Sequence, residues 1–68
     1  MNRIPSSSTM IKSYGYDMDS RTLEIEFERD GAIFSYLDVP VDIYYQFAEA
    51  YSKGSFFHYN IKDVYEYE

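Results

Sequence analysis

Glu24, Glu26 and Glu28 stand at every second position of the stretch TLEIEFERDG. On a β-strand alternate side chains share a face, which would set these carboxylates in a row roughly 7 Å apart. That spacing falls within the range glycosidases use for paired carboxylates. A catalytic pair also needs a cleft to hold substrate, and 68 residues leave little chain to build one. The row therefore reads first as the solvated face of a sheet, and second as an acidic docking ridge for a basic partner. If the following residues fold back as a hairpin, Ile33 and Leu37 join the same outer face. Glu24, Glu26, Glu28, Ile33 and Leu37 then form an apolar patch edged by carboxylates, the candidate partner-binding surface.

Other arrangements carry less chemistry. Asp17 and Asp19, with Glu28 at the twelfth position of the window, have the outline of a calcium loop. Thr22 stands where the loop needs glycine, Arg21 occupies a ligand position, and the flanks read as strands rather than helices. His58 is the single histidine and there is no cysteine, a poor donor set for zinc. Ser52-Lys53-Gly54 lacks the remainder of a phosphate-binding loop and reads as the end of a helix. No nucleophile–base pair stands out, so the chain reads as non-enzymatic, with no metal or cofactor expected. The remaining resource is aromatic. Tyr45, Tyr51 and Tyr59, close in sequence to Lys53 and Lys62, would offer stacking platforms beside cations, as single-stranded RNA requires.

The bulk properties narrow the choice. Sixty-eight residues make one domain, with a small core. Nine Tyr and five Phe, 21% of the chain, supply the buried area that disulfides cannot. The lack of cysteine fits a reducing, cytoplasmic setting. No apolar run approaches the roughly 20 residues of a membrane helix, and MNRIPSSST shows no apolar signal-peptide core. Twelve acids against six scattered bases give a net charge of −6, which argues against phosphate binding and for a basic protein partner.

These residues need elements to position them. Residues 1–8, with Pro5 and a serine run, read as a flexible or edge-lying lead-in to a single domain over 9–68. Residues 9 to 16 read as a first strand, with Met10, Lys12, Tyr14 and Tyr16 on one face and Ile11 and Ser13 on the other. Leu23, Ile25 and Phe27 alternate with the glutamates in a second strand. Asp30-Gly31 suits a two-residue type I′ turn, a register that sets Phe27 opposite Phe34 and Glu28 opposite Ile33. Pro40 opens a helix whose stripe is Ile43, Phe47, Ala50 and Tyr51. A second short helix over roughly 56 to 63, capped by Ser55, is preferred to a strand, and an extended tail carries Tyr65 and Tyr67. The fold expected is α+β: a three-stranded antiparallel meander with one or two short helices on one face. Its core is Leu23, Ile25, Phe27, Phe34, Tyr36, Ile43, Phe47, Phe57 and Ile61.

With these blocks in view, the chain resembles the KTSC family from Ser8 to Tyr67. The resemblance rests on the order and spacing of Gly15-Tyr16-Asp17, Arg21 to Phe27, Phe34-Ser35-Tyr36, Val39-Pro40 with Tyr44, Ala50 to Phe57, and Ile61 with Tyr65-Glu66-Tyr67. Phe34 replaces the first tyrosine of the family's Tyr-x-Tyr, and His58 stands where the family often has Asn. The resemblance implies a domain found at the C-terminus of some lysyl-tRNA synthetases and as free-standing bacterial and phage proteins. It implies no established activity, and RNA binding as a suggestion. The expected function is a small acidic binding module with a protein partner; the alternative is RNA bound through Tyr45, Tyr51, Lys53, Tyr59 and Lys62. Self-association through an exposed edge strand is a third possibility. The size and acidity also fit a phage-encoded inhibitor of a host nucleic-acid-binding protein.

Overall fold

A computed structural model describes residues 3–68. It holds a four-stranded antiparallel sheet followed by two helices: β1 (Ile4–Pro5), β2 (Ile11–Asp17), β3 (Thr22–Phe27), β4 (Ile33–Tyr36), α1 (Val41–Glu49) and α2 (Lys53–Asn60). The strands lie in chain order. The α+β meander is as expected, with one strand more. Ile4 and Pro5 of the lead-in pair with Tyr14 and Ser13, so this part of residues 1–8 is an edge strand rather than a free arm. Pro5 suits that edge position, since it has no N–H to offer a further neighbour.

The faces of β2 differ from strict alternation. Ile11 pairs with Phe27, yet Ser13 pairs with Glu26, and the register shift between them makes Lys12 the extra residue of a bulge. The bulge places Ile11 and Tyr14 on the core face, three positions apart, and both are buried. Ser13 is turned to the outer face beside Glu26. A period-two reading had separated Ile11 from Tyr14, and neither appeared in the expected core.

The hairpin keeps its expected faces but not its register. Ile25 lies opposite Phe34 and Glu26 opposite Ile33, two residues away from the register a two-residue turn would give. The Phe27 N–H donates to the Ala32 carbonyl and the Gly31 N–H to the Phe27 carbonyl, each at 2.9 Å. The loop is thus Glu28 to Gly31. The Glu28 N–H donates to Met10 O, which extends the β2–β3 pairing by one residue, and within the loop Asp30 Oδ1 accepts from the Ala32 N–H. Gly31 supplies the positive φ of 71° that closes the turn. A shift of two preserves parity, so Leu23, Ile25, Phe34 and Tyr36 still share the core face.

α1 begins after Pro40, which acts as its N-cap without a side-chain bond. Phe47 is fully buried, with its ring edge-on to Tyr14 at 5.1 Å, and Tyr44 stacks on Tyr16 at 4.3 Å. The Tyr16 hydroxyl donates to the Val39 carbonyl, which ties β2 to the approach to α1. Tyr51, expected on the buried stripe, lies beyond the helix end and is fully exposed. α2 begins three residues earlier than expected because Ser52, not Ser55, is the cap: its Oγ accepts from the Ser55 N–H at 3.2 Å. Gly54 therefore lies inside the helix rather than ending the previous one. It is buried, and a Cβ there would come within 3.3 Å of Met10 Cβ. Val39 completes the core, while Phe27, Phe34 and Ile43 pack around it half-buried.

After α2 the chain turns through Asp63 at φ 63° and returns along β4. Glu68 exchanges both backbone hydrogen bonds with Ser35, and the Leu37 N–H donates to Glu66 O. Tyr67 thus lies opposite Tyr36. The extended tail occupies the sheet edge that a three-stranded meander would leave open. No helix among the described residues is long and apolar enough to cross a membrane.

Candidate functional site

The expected docking ridge is largely committed within the chain. Arg3 Nη2 donates to Glu24 Oε1 at 2.6 Å, and Ser13 Oγ donates to Glu26 Oε1 at 2.8 Å. Both glutamates are half-buried. Glu28 leaves the row altogether, because it belongs to the hairpin loop and lines a cavity on the opposite, core-side face. Ile33 remains exposed beside Glu26, while Leu37 is partly covered where the tail pairs with it. Of the five candidate residues, four share the outer face and two have their carboxylates engaged.

The candidate RNA-binding residues do not converge. Lys53 stands over the Tyr14 ring, 5.9 Å from its centroid, a cation–π distance that directs it toward the core edge. Tyr59 is six positions further along α2, about 120° from Lys53 around a helix of 3.6 residues per turn. It is exposed and rests edge-on against His58. Tyr45 and Tyr51 are exposed on α1 and the connection after it. Lys62 lies past the end of α2, in the wall of the cavity that Glu28 also lines.

That cavity is a concave site among the described residues. Its volume is 580 Å³, within the usual range for ligand pockets. It lies between the β3–β4 hairpin, the C-terminal half of α2 with the residues after it, and the tail. Phe27 and Phe34 come from the hairpin, Tyr36 from β4, Phe57 from α2 and Tyr67 from the tail. Their rings form one continuous network. Phe27 meets Phe34 at 5.5 Å and Phe57 at 5.3 Å, Tyr36 meets Phe57 at 5.4 Å, and Tyr67 stacks on Phe34 at 5.0 Å. Around these rings the wall is charged and of mixed sign, Arg29 and Lys62 against Glu28, Asp30 and Asp63, with His58 beside them.

The electrostatics fit an apolar floor. Tyr36 is 3% exposed, and its phenol is pushed up to about 12, first by burial and then by Tyr67 and Asp63. Tyr44 is also raised, chiefly by burial. Among the described residues no three His, Asp or Glu side chains converge as metal ligands. The groove can accept a flat apolar or aromatic group and surround it with both signs of charge. Periodicity along the sequence carried no sign of this site, because its walls come from segments up to 58 positions apart, Thr9 to Tyr67. Phe57, Tyr36 and Phe27 were legible only as core.

Comparison with known proteins adds three findings. A family model described as the KTSC domain matches residues 7–65. A lysine–tRNA ligase from Nostoc is 38% identical over 60 residues, which are 88% of this chain and 10% of the ligase. The chain thus spans about a tenth of that curated relative. An uncharacterized protein of Stutzerimonas stutzeri is 37% identical over 57 residues, covering 84% of this chain and 79% of its own length. Among solved structures, a KTSC domain protein from Yersinia pestis superposes with a TM-score of 0.94 at 43% identity, over 98% of this chain and 93% of the other.

Proposed function

We propose, since this chain belongs to the KTSC domain family, that it is a non-enzymatic recognition module whose partner is a protein and whose contact surface is the aromatic groove. The observation that supports this most is the pairing of a floor of five rings with a wall of mixed charge. Protein interfaces combine an aromatic, desolvated centre with a polar rim in the same way. The net charge of −6 makes a polyanion the poorer occupant. The outer face of Glu24, Glu26 and Ile33 is a secondary contact in this reading, because its carboxylates already have partners.

A second reading is favoured by one observation: Arg29 and Lys62 border the same rings, so an RNA base stacked there would have cations close to its phosphates. The lysine–tRNA ligase relative is consistent with this alternative.

Affinity capture of the tagged full chain from lysate, with and without nuclease, distinguishes the two. A protein that survives nuclease and high salt, and is lost with Phe34→Ala but not with Glu24→Gln, supports the module. Recovery of RNA instead, lost at high salt and with Arg29→Glu plus Lys62→Glu, would replace the protein reading with the RNA one.

A further inference from the structure

We propose that the tail segment Glu66 to Glu68 is a displaceable internal ligand, and that the groove's natural occupant is an extended protein segment with an aromatic residue between two basic ones. The inference rests on the reading of the groove as a protein-binding surface. It adds how the occupant is held and what sequence chemistry it carries.

The tail already shows the binding mode. It lies antiparallel to β4, held by the paired Ser35–Glu68 bonds and the bond from Leu37 N–H to Glu66 O. Addition of a strand to a sheet edge is a general mode of peptide recognition, in which backbone bonds supply affinity and alternate side chains supply specificity. Here the alternate side chain is Tyr67. Its ring stacks on Phe34 and tilts against Tyr36 at 5.5 Å, inside the groove.

The fit is incomplete, however. Tyr67 remains 59% exposed, although the groove around it has room for far more of a ring. The tail's pairing with β4 is short: the Tyr36–Tyr67 bridge and the three backbone bonds that flank it.

Charge points to what would fit better. Residues directly opposite on paired strands share a face, so Glu68, Ser35 and Glu24 form one row across the outer face, with Glu26 in the next. The tail thus sets two further carboxylates on a face that already carries Glu26 and the Arg3-paired Glu24, in a chain of net charge −6. A segment with Lys or Arg at the positions of Glu66 and Glu68 would make the same backbone bonds and bring charge of the opposite sign to that face. A fuller aromatic side chain at the position of Tyr67 would occupy the groove.

Two labelled probes test this by fluorescence anisotropy: the peptide Gly-Ser-Arg-Trp-Lys-Ser-Gly and its counterpart Gly-Ser-Glu-Trp-Glu-Ser-Gly. The basic probe should bind the full chain, and the acidic one more weakly. Weakening the internal ligand in Tyr67→Ser should tighten the basic probe roughly tenfold, since the fraction of chains with an open edge rises. The double variant Glu66→Lys with Glu68→Lys converts the tail into the better occupant and should weaken the basic probe. The opposite signs of these two changes guard against a variant that merely unfolds, and amide spectra check that each is folded. Equal binding to parent and both variants would overturn the displaceable tail while leaving a groove-binding module intact, the latter being judged by the capture experiment. No binding of either probe to Tyr67→Ser would also overturn it. So would a concentration-dependent dimer in sedimentation that disappears with Tyr67→Ser, which would seat a second copy's tail on β4.

Discussion

Tyr36 joins the core to the groove: its ring packs against Phe57 on one side and Phe34 and Tyr67 on the other. Burial raises its phenol from 10.0 to about 12, so the native state resists its ionisation. In the unfolded chain the phenol loses its proton near pH 10, while the folded chain keeps it. The unfolded state therefore binds fewer protons between these values, and stability falls as pH rises through that window. Urea titrations should show a midpoint that is steady below pH 10 and declines from pH 10 to 12; Tyr36→Phe should flatten that decline. The sequence identified Tyr36 as core from its position after Phe34, because the parity of a strand survives an error of two in register. It could not show that Glu24 meets Arg3, a partner 21 residues away, or that Glu26 meets Ser13. Such pairs depend on which strands are neighbours and on where a bulge falls, and neither leaves a periodic trace.

Among the elements, α2 shows how local chemistry can be read correctly in kind and misplaced in position. Ser52-Lys53-Gly54-Ser55 offers two serines, each able to cap a helix, with a glycine between them that ordinarily marks an end. The glycine instead allows close approach of Met10 to the first turn, so Ser52 becomes the cap. Ser52→Ala should cost about 1 kcal/mol, and Ser55→Ala, which leaves the cap oxygen in place, only a few tenths. Chemical denaturation of the two variants side by side would show the difference, and equal losses would contradict the assignment. The β2 bulge and the four-residue hairpin loop were hidden for a related reason. Each depends on contacts that alternation does not encode: the Ala32 N–H to Asp30 bond within the loop, and the Ile11–Phe27 pairing beside the bulge.

At the scale of the whole molecule, the order of elements and the sided sheet were legible, since alternation and a proline-led helix are local signals. The groove was not. It is formed where the hairpin, α2 and the returning tail meet, an arrangement of segments distant in the chain. The same return has a consequence for colloidal behaviour. Ala32 to Leu37 is a run of six residues with no charge, proline or glycine, the composition of segments that stack into cross-β fibrils. Its backbone edge is covered by a strand bearing alternating carboxylates, while Pro5 guards the other side of the sheet. Such blunted edges keep sheets from growing sideways into one another. A chain lacking residues 66–68 should therefore remain folded when dilute yet form thioflavin-positive aggregates on concentration, under conditions in which the full chain stays clear.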